Sequence, residues 1–333
     1  MKSRYARQIQ LPQFGEEGQE KLSQAKVLIV GCGGLGVPVV QILAGAGVGT
    51  LGLCDFDTVA IHNLHRQSIY TEAQVGQAKT EAAQAFVSAY NSEVKTVIHP
   101  ALDGSTGKGI IQDYDLIVDC SDNFGTRYLL NDLCVNGNTP WVSGALGQYD
   151  SQISTFNWDG SGTYRCLFPE APKNPTQCST DGIWPALPAF AGSIMAWEII
   201  DTLLGKPKYA NQLRIDRLAT GEHFSLQYSR SAQQKLITNS PLGSGISLTQ
   251  LPSFSGDYSL IWIGSPLIPE ELEQHDPILA FEDPIVGINK AHGSNIVLAC
   301  TNGVLSKQYA LSSRIQESLN TGEHLFFLTE TFS

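Results

Sequence analysis

Between residues 25 and 145 the chain alternates short apolar runs with longer helical patterns, and this alternation narrows the available folds more than any other feature. The runs are KVLIVG, GTLGLCD, VKTVIHP, YDLIVDC and TPWVSGA. Each has strand length, and strands separated by helix-length segments build parallel βαβ units. The expected fold class is therefore α/β with a doubly wound, mostly parallel sheet. TEAQVGQAKTEAAQAFVSAY, residues 71–90, reads as one of the intervening helices. Downstream, QISTFNW reads as a strand, ALPAFAGSIMAWEIIDTLLG as a buried helix over 186–205, and QLRIDRLATGEHFSLQYS as a hairpin. The proline-rich, nearly uncharged CLFPEAPKNPTQCSTDGIWP between them reads as a long exposed crossover or lid.

The first strand, KVLIVG, runs straight into a glycine cluster. Gly31, Gly33 and Gly36 satisfy G-x-G-x-x-G, which permits a tight turn, close approach of backbone to phosphate and close packing of helix on strand, and gives the sheet a Rossmann-like character. A helix starting near Leu35 aims its unpaired N–H groups at an anion, and Pro38 is tolerated in the first turn. Asp55 ends the next run roughly 20 residues on, where an acid can bind a ribose hydroxyl. These features point to phosphate and leave a dinucleotide and a mononucleotide equally open.

The following block, DFDTVAIHNLHRQ over residues 55–67, decides between them. A nicotinamide site needs one acid at the strand end, whereas Asp55 is followed here by Asp57, Asn63, Arg66 and Gln67, and later by Lys79. An arginine fork and a lysine point charge suit a triphosphate better than a hydride donor. DCSDN, residues 119–123, ends another strand on the same carboxyl edge, and Asp122 there is placed to hold magnesium together with phosphate oxygens. Taken singly, Arg66 or Lys79 would also fit a surface salt bridge, and Asp57 or Asp122 a turn or N-cap. As an ordered set they favour the nucleotide.

Bulk properties remove other classes. The formal charge of −11 repels polyanions, so nucleic acid and anionic membrane are not expected partners. No apolar run reaches the roughly 18 residues of a membrane helix, and the first residues show no leader-like apolar core, so a cytoplasmic location is expected. The 7 cysteines lack disulfide-like spacing and fit a reducing compartment. Cys32, Cys54, Cys120 and Cys134 read as buried small hydrophobes.

RYARQI, VGCGGLG, DFDTVAIHNLHRQ, VGQAKTEAA and DCSDN, in this order and spacing, resemble the ThiF/MoeB/HesA group of ubiquitin-activating-like adenylyltransferases over roughly residues 1–230. The resemblance implies an ATP-dependent enzyme that activates the C-terminal glycine of a small ubiquitin-like sulfur carrier, ThiS- or MoaD-like and ending in Gly-Gly, as an acyl-adenylate. It implies that Gly34 lies against the triphosphate with Gly31, Gly33 and Gly36 in the turn, and that Asp55 binds the ribose. Asn63, Arg66 and Lys79 would bind phosphates, with Asp57, Gln67 and Asn123 also in the site and Asp122 holding Mg2+. Arg7 matches an arginine contributed across a homodimer. Cys178 matches a cysteine that attacks the acyl-adenylate or relays sulfur, which brings in a cysteine desulfurase as a further partner. Thiamin and molybdopterin biosynthesis are the pathways the resemblance offers.

Two departures stand out. The family's two C-x-x-C zinc pairs are reduced here to TYRC, with Thr163 in place of one ligand and Cys166 left alone, while residues 228–245 contain no cysteine; structural zinc is expected to be absent. SRSAQQKLITNSPLGSG marks a boundary, giving an adenylation domain over 1–235, a linker over 236–245 and a smaller α/β unit over 246–333. That unit, with runs ISLTQLPS, YSLIWIG, SNIVLACTNG and HLFFLT and a helix SKQYALSSRIQESLN, resembles a rhodanese-like domain. Cys300 would carry its persulfide, with Gly303 and Ser306 in register, but Leu305 replaces the loop arginine; a degenerate docking module is favoured over a working sulfurtransferase. Two alternatives to carrier activation are adenylation of a peptide in natural-product biosynthesis and a noncatalytic nucleotide-binding scaffold.

Overall fold

The computed structural model describes residues 4–102, 107–169 and 182–231, and beyond them the backbone of five short strands. The helices are α1 (Ala6–Ile9), α2 (Gly15–Gln24), α3 (Gly36–Ala46), α4 (Lys79–Tyr90), α5 (Gly107–Ile111), α6 (Phe124–Gly137), α7 (Tyr164–Leu167) and α8 (Leu187–Leu203). The strands of the first sheet are β1 (Lys26–Val30), β2 (Thr50–Cys54), β3 (Lys95–His99), β4 (Leu116–Asp119), β5 (Trp141–Leu146), β6 (Asp150–Phe156), β7 (Gln212–Arg217) and β8 (Glu222–Gln227). Their order is β3-β2-β1-β4-β5-β6-β7-β8, parallel from β3 to β5 and antiparallel from β5 to β8. All five apolar runs of the first half are strands, and the hairpin is β7–β8.

The sheet is packed on both faces, which is why its central strands read as continuous apolar runs rather than alternating ones. Along β1, Val27 and Ile29 join a core that includes Val40, Leu43, Ala83 and Val87 from α3 and α4 and Met195 and Ile199 from α8. Leu28 and Val30 point the other way, into a core with Leu129, Leu130 and Leu133 of α6 and the aromatic group Trp141, Phe156 and Tyr164. Reversal of strand order between β1 and β4 leaves a crevice at their carboxyl ends, where ligands collect in open α/β sheets.

Two sequence expectations change. Residues 71–90 are not one helix. A single turn at Glu72–Gln74 is closed by a capping box between Thr71 and Gln74, Gly76 takes a φ of 89°, and Ala78 pairs with Thr58 in an antiparallel bridge. Helix begins only at Lys79, because the backbone before it is spent on tertiary pairing. Helix α8 is buried on one face alone: Ala191, Met195 and Ile199 are fully covered, whereas Trp197 is 62% and Phe190 39% exposed.

Downstream, β9 (Ser244–Ile246), β10 (Tyr258–Trp262), β11 (Ile278–Leu279), β12 (Asn295–Ala299) and β13 (His324–Leu328) form a second, all-parallel sheet in the order β11-β10-β12-β13-β9. Strand β9 overlaps the expected ISLTQLPS only at Ile246. Residues 236–243 of the expected linker, the expected helix over 306–320, and Cys178 and Cys300 lie outside the described residues.

The entry into α3 is the tightest contact of the first sheet. A Cβ on Gly36 would fall on the carbonyl oxygen of Gly31, backbone that has no rotamer with which to yield. Gly36→Ala is expected to cost about 3 kcal/mol and to lower the melting temperature by about 6–12 °C, read by calorimetry; an unshifted melting curve would show that the turn can relax.

Candidate functional site

The turn between β1 and α3 is held from three sides. Gly31 has a φ of 100°, its N–H donates to the Cys54 carbonyl at 2.8 Å, and a Cβ there would lie 2.6 Å from the Cys120 carbonyl oxygen. Asp55, just past β2, accepts the Cys32 N–H on one carboxylate oxygen at 2.6 Å and the Asp57 N–H on the other at 2.8 Å. Burial raises the Asp55 carboxyl above its ordinary range, with the nearby Lys79 charge and the two N–H donors opposing. The position before α3, Leu35, offers no side-chain cap; the Val37 N–H is taken by the Gly33 carbonyl at 3.0 Å, and Pro38 carries none.

The space in front of the turn is a cavity of about 630 Å³, within the range of small-molecule sites. Gly31, Gly33, Gly34, Asp55, Asp57, Asn63, Arg66, Gln67, Lys79, Asp122 and Asn123 all line it, so the structure gathers eleven of the expected residues around one volume. Gly34 is a cradle: a Cβ there would meet Pro188 at 3.3 Å and Arg66 at 3.6 Å. Gly36 is not on the wall; it packs beneath Gly31. Arg7 is exposed on α1 and does not line this cavity.

The cations are held differently. Lys79 is only 4% exposed, although its ammonium pairs with Asp57 at 2.7 Å. The ion pair is real, but it is no surface bridge, since a desolvated ammonium is kept only where partners compensate it. Arg66 is half-buried and donates to Asn63 Oδ1 at 2.9 Å and to His65 Nε2 at 2.6 Å. Gln67 is 2% exposed, and its Oε1 has no hydrogen-bond partner among the described residues. A buried amide on a cavity wall with one end unsatisfied fits a ligand or ordered water as the missing partner.

The DCSDN turn divides its labour. Asp122 is exposed at the mouth, while Asn123 caps α6 by accepting the Thr126 N–H at 2.8 Å. Asp57, the other exposed carboxylate on this wall, is paired with Lys79, so Asp122 is the one whose chemistry fits Mg2+ bound chiefly through phosphate oxygens. Sequence reasoning passed over the residues beneath. Asp119 is fully buried and accepts from Ser121 N at 3.0 Å, Ser121 Oγ at 2.5 Å, Ser143 Oγ at 2.7 Å and Arg127 Nε at 3.3 Å. Arg127 was missed because a helix-interior arginine normally faces water; its guanidinium also donates to the Ser121 carbonyl at 3.0 Å. Tyr70 was missed too, since it lies between the 55–67 block and the expected helix over 71–90 and carries no charge.

A second cavity of about 550 Å³ adjoins the first, and Asp122, Arg127, Leu146 and Gly182 line both. Its floor is aromatic, with Phe124, Tyr128, Phe156, Tyr164 and Phe168, and Ser143, Gln148, Gln152 and Ser154 supply polar groups. Cys32 and Cys120 have thiols pushed well up by burial and are unsuited to nucleophilic work. Cys166, the residue left from the reduced zinc motif, accepts the Ser231 N–H at 3.3 Å and contacts Thr163 Oγ1 at 3.5 Å.

A protein of Thermus thermophilus named sulfur carrier protein adenylyltransferase is 44% identical over 225 residues, covering 65% of this chain and 83% of its own. The Danio rerio protein named adenylyltransferase and sulfurtransferase MOCS3 is 42% identical over 214 residues, covering 63% of this chain and 47% of its own, so the chain spans about half the length of that relative. The crystal structure of E. coli MccB with ATP has a TM-score of 0.62 at 24% identity, covering 71% of this chain and 74% of that one, and shares the fold. The sequence pattern of the ThiF family matches residues 5–236. That span holds the whole eight-stranded sheet and every residue on the cavity wall, and the chain belongs to the ThiF family.

Proposed function

We propose that the chain is an ATP-dependent adenylyltransferase that activates the C-terminal glycine carboxylate of a small ubiquitin-like sulfur carrier, ThiS- or MoaD-like. The observation that carries this reading is the single cavity in which a glycine turn, a buried lysine, an arginine and an acid from two different strand ends face one volume. The relative named a sulfur carrier protein adenylyltransferase supports the substrate class.

In this reading the triphosphate lies along the Gly33–Gly34 backbone with the ribose at Asp55. Lys79 and Arg66 face the phosphates, Asn63 orients Arg66 through its 2.9 Å bond, and Gln67 gives its unsatisfied amide end to the bound nucleotide. The carrier's tail, two glycines without side chains, enters through the second cavity and reaches the nucleotide at the wall shared by Arg127 and Asp122. Its carboxylate oxygen attacks the α-phosphorus, the bond from that phosphorus to the β-phosphate oxygen breaks, and pyrophosphate leaves with both its electrons. Charge develops on the α-phosphoryl oxygens and on the leaving group, where fixed N–H groups and cations act most strongly. Asp122 would hold Mg2+, which when bound neutralises phosphate charge.

The remaining expectations belong to the same proposal. Arg7, exposed on α1, would reach the cavity of a second copy. Cys178 would take the acyl group or relay sulfur from a cysteine desulfurase, and residues 246–333 would form a degenerate rhodanese-like module containing Cys300. A peptide substrate has only the shared fold of MccB behind it.

Pyrophosphate exchange into ATP, assayed with a panel of purified carriers ending in Gly-Gly, tests the reading. Carrier-dependent exchange is expected; ATP binding without exchange by any carrier would point to a scaffold instead. Asp122→Ala and Lys79→Ala should each lower the exchange rate by about 100-fold or more, and retention of activity in either would remove that residue from the phosphate site. Cys178→Ala should leave exchange within about twofold, because adenylation precedes any thiol step, while thiocarboxylate formation followed by mass spectrometry falls. An unchanged thiocarboxylate rate would exclude the thiol.

A further inference from the structure

Five residues around the first cavity close a ring of hydrogen bonds. The Cys32 N–H donates to Asp55 at 2.6 Å, and Asp55 accepts the Asp57 N–H at 2.8 Å. Asp57 accepts twice from Lys79, through its carbonyl from the Lys79 N–H at 3.0 Å and through its carboxylate from the ammonium at 2.7 Å. The ring returns through Tyr70, whose hydroxyl lies 2.8 Å from the Cys32 carbonyl oxygen and 3.3 Å from the Lys79 carbonyl oxygen. The hydroxyl has one proton for these two acceptors, and the shorter distance is to Cys32. Each of the two endpoints, Cys32 in the glycine turn and Lys79 at the start of α4, is thus held by one acidic path and one phenolic path.

We propose that Tyr70 is a positioning residue for nucleotidyl transfer, fixing the Lys79 ammonium relative to the phosphate-facing backbone of the glycine turn. This rests on the adenylation reading above. Tyr70 is 5% exposed and is absent from the cavity wall, so it acts through its two carbonyl partners and not on substrate. Burial drives its phenol far above the ordinary range, so the hydroxyl keeps its proton and stays a donor throughout the working pH range. The facing groups from neighbouring elements are Asp55, Lys79 and the Cys32 thiol, and the two acceptors are carbonyls, which do not titrate. Core packing of Ala82, Ala83 and Val87 holds the body of α4, and at its first residue the phenolic path adds a second restraint to that from Asp57, which is 54% exposed on its side chain. A cation displaced by a fraction of an ångström loses most where charge is developing, so the effect falls on turnover more than on ATP capture.

Tyr70→Phe removes one buried hydrogen bond and keeps the ring. In carrier-dependent pyrophosphate exchange its maximum rate should fall by about 3- to 10-fold, with the KM for ATP held within about twofold. Tyr114→Phe is the control: this buried hydroxyl bonds His99 at 2.6 Å, away from the cavity, and its loss should leave the exchange rate within about twofold. Placing 4-aminophenylalanine at position 70 restores a donor and should recover most of the rate, a result that loss of packing could not produce. A Tyr70→Phe rate equal to wild type, or an amino variant as slow as the phenylalanine one, overturns the positioning role while wild-type exchange stands. A wild-type chain without exchange overturns the adenylation reading and the positioning role with it.

Discussion

Backbone meets backbone at the glycine turn, and the rest of the site is arranged around that contact. Gly31 lies against the Cys120 carbonyl, Gly36 lies against Gly31, and main-chain bonds of 2.8 Å tie Gly31 to Cys54 and Cys120 to Val30. The ends of β1, β2 and β4 and the start of α3 therefore meet within a few ångströms. No side chain fits between them, so the glycine turn packs backbone on backbone, and its Gly33 and Gly34 line the cavity. Every other group on the wall is positioned relative to this junction. Asp55 grips the turn from β2, Asp122 projects from the loop after β4, and Lys79 is held against Asp57 at the mouth of β2.

A chain carrying a formal charge of −11 has to attract a polyanion locally, against its own overall field. Two devices achieve this. Oriented N–H groups supply partial positive charge at no cost in net charge, and Arg66 and Lys79, two of the three Arg and Lys side chains on the wall, are restrained by neutral or singly charged partners. Lys79 shares one of its three ammonium donors with Asp57, and Arg66 is steered by the Asn63 carbonyl oxygen and His65. The fully buried acid nearby, Asp119, is answered by four donors from Ser121, Ser143 and Arg127, so its charge is largely spent inside the protein. Asp55 is the exception. Its ionisation is opposed by burial and favoured by the Lys79 charge and the Cys32 and Asp57 N–H groups.

The alternation of apolar runs was enough to place β1 to β5, because parallel strands covered on both faces leave a signal that does not depend on neighbours. It was not enough for residues 71–78. Their composition favours helix, but Gly76 in the left-handed region and the Thr58–Ala78 bridge are decided by what lies across the fold. Helix α8 misled in the opposite direction, since Phe190 and Trp197 are apolar yet exposed and no pattern in one chain separates a fully buried helix from one with an apolar outer face. At the site, residues with charge and family spacing were readable only as an ordered set, and eleven of them line one cavity. Asn123 was grouped with the nucleotide residues, and its side chain also caps α6. Arg127 and Tyr70 gave no signal at all, because their importance lies in what their donors reach: a buried carboxylate in one case and two carbonyls in the other.

Arg127 also ties the two cavities together structurally. It lines both, and it is bound to Asp119 at the end of β4 and to the Ser121 carbonyl in the turn that carries Asp122. Ser143 of β5 reaches the same carboxylate at 2.7 Å, so the wall between the cavities is anchored to two central strands and to α6 at once. A ligand extending from one cavity to the other must pass groups that cannot shift without breaking buried hydrogen bonds, each costly to leave unpaired. Loops at the mouth can vary how a partner approaches. In the proposed reaction the meeting point of nucleotide and acyl donor would be set by the sheet itself, where a reaction sensitive to small displacements gains most from rigidity.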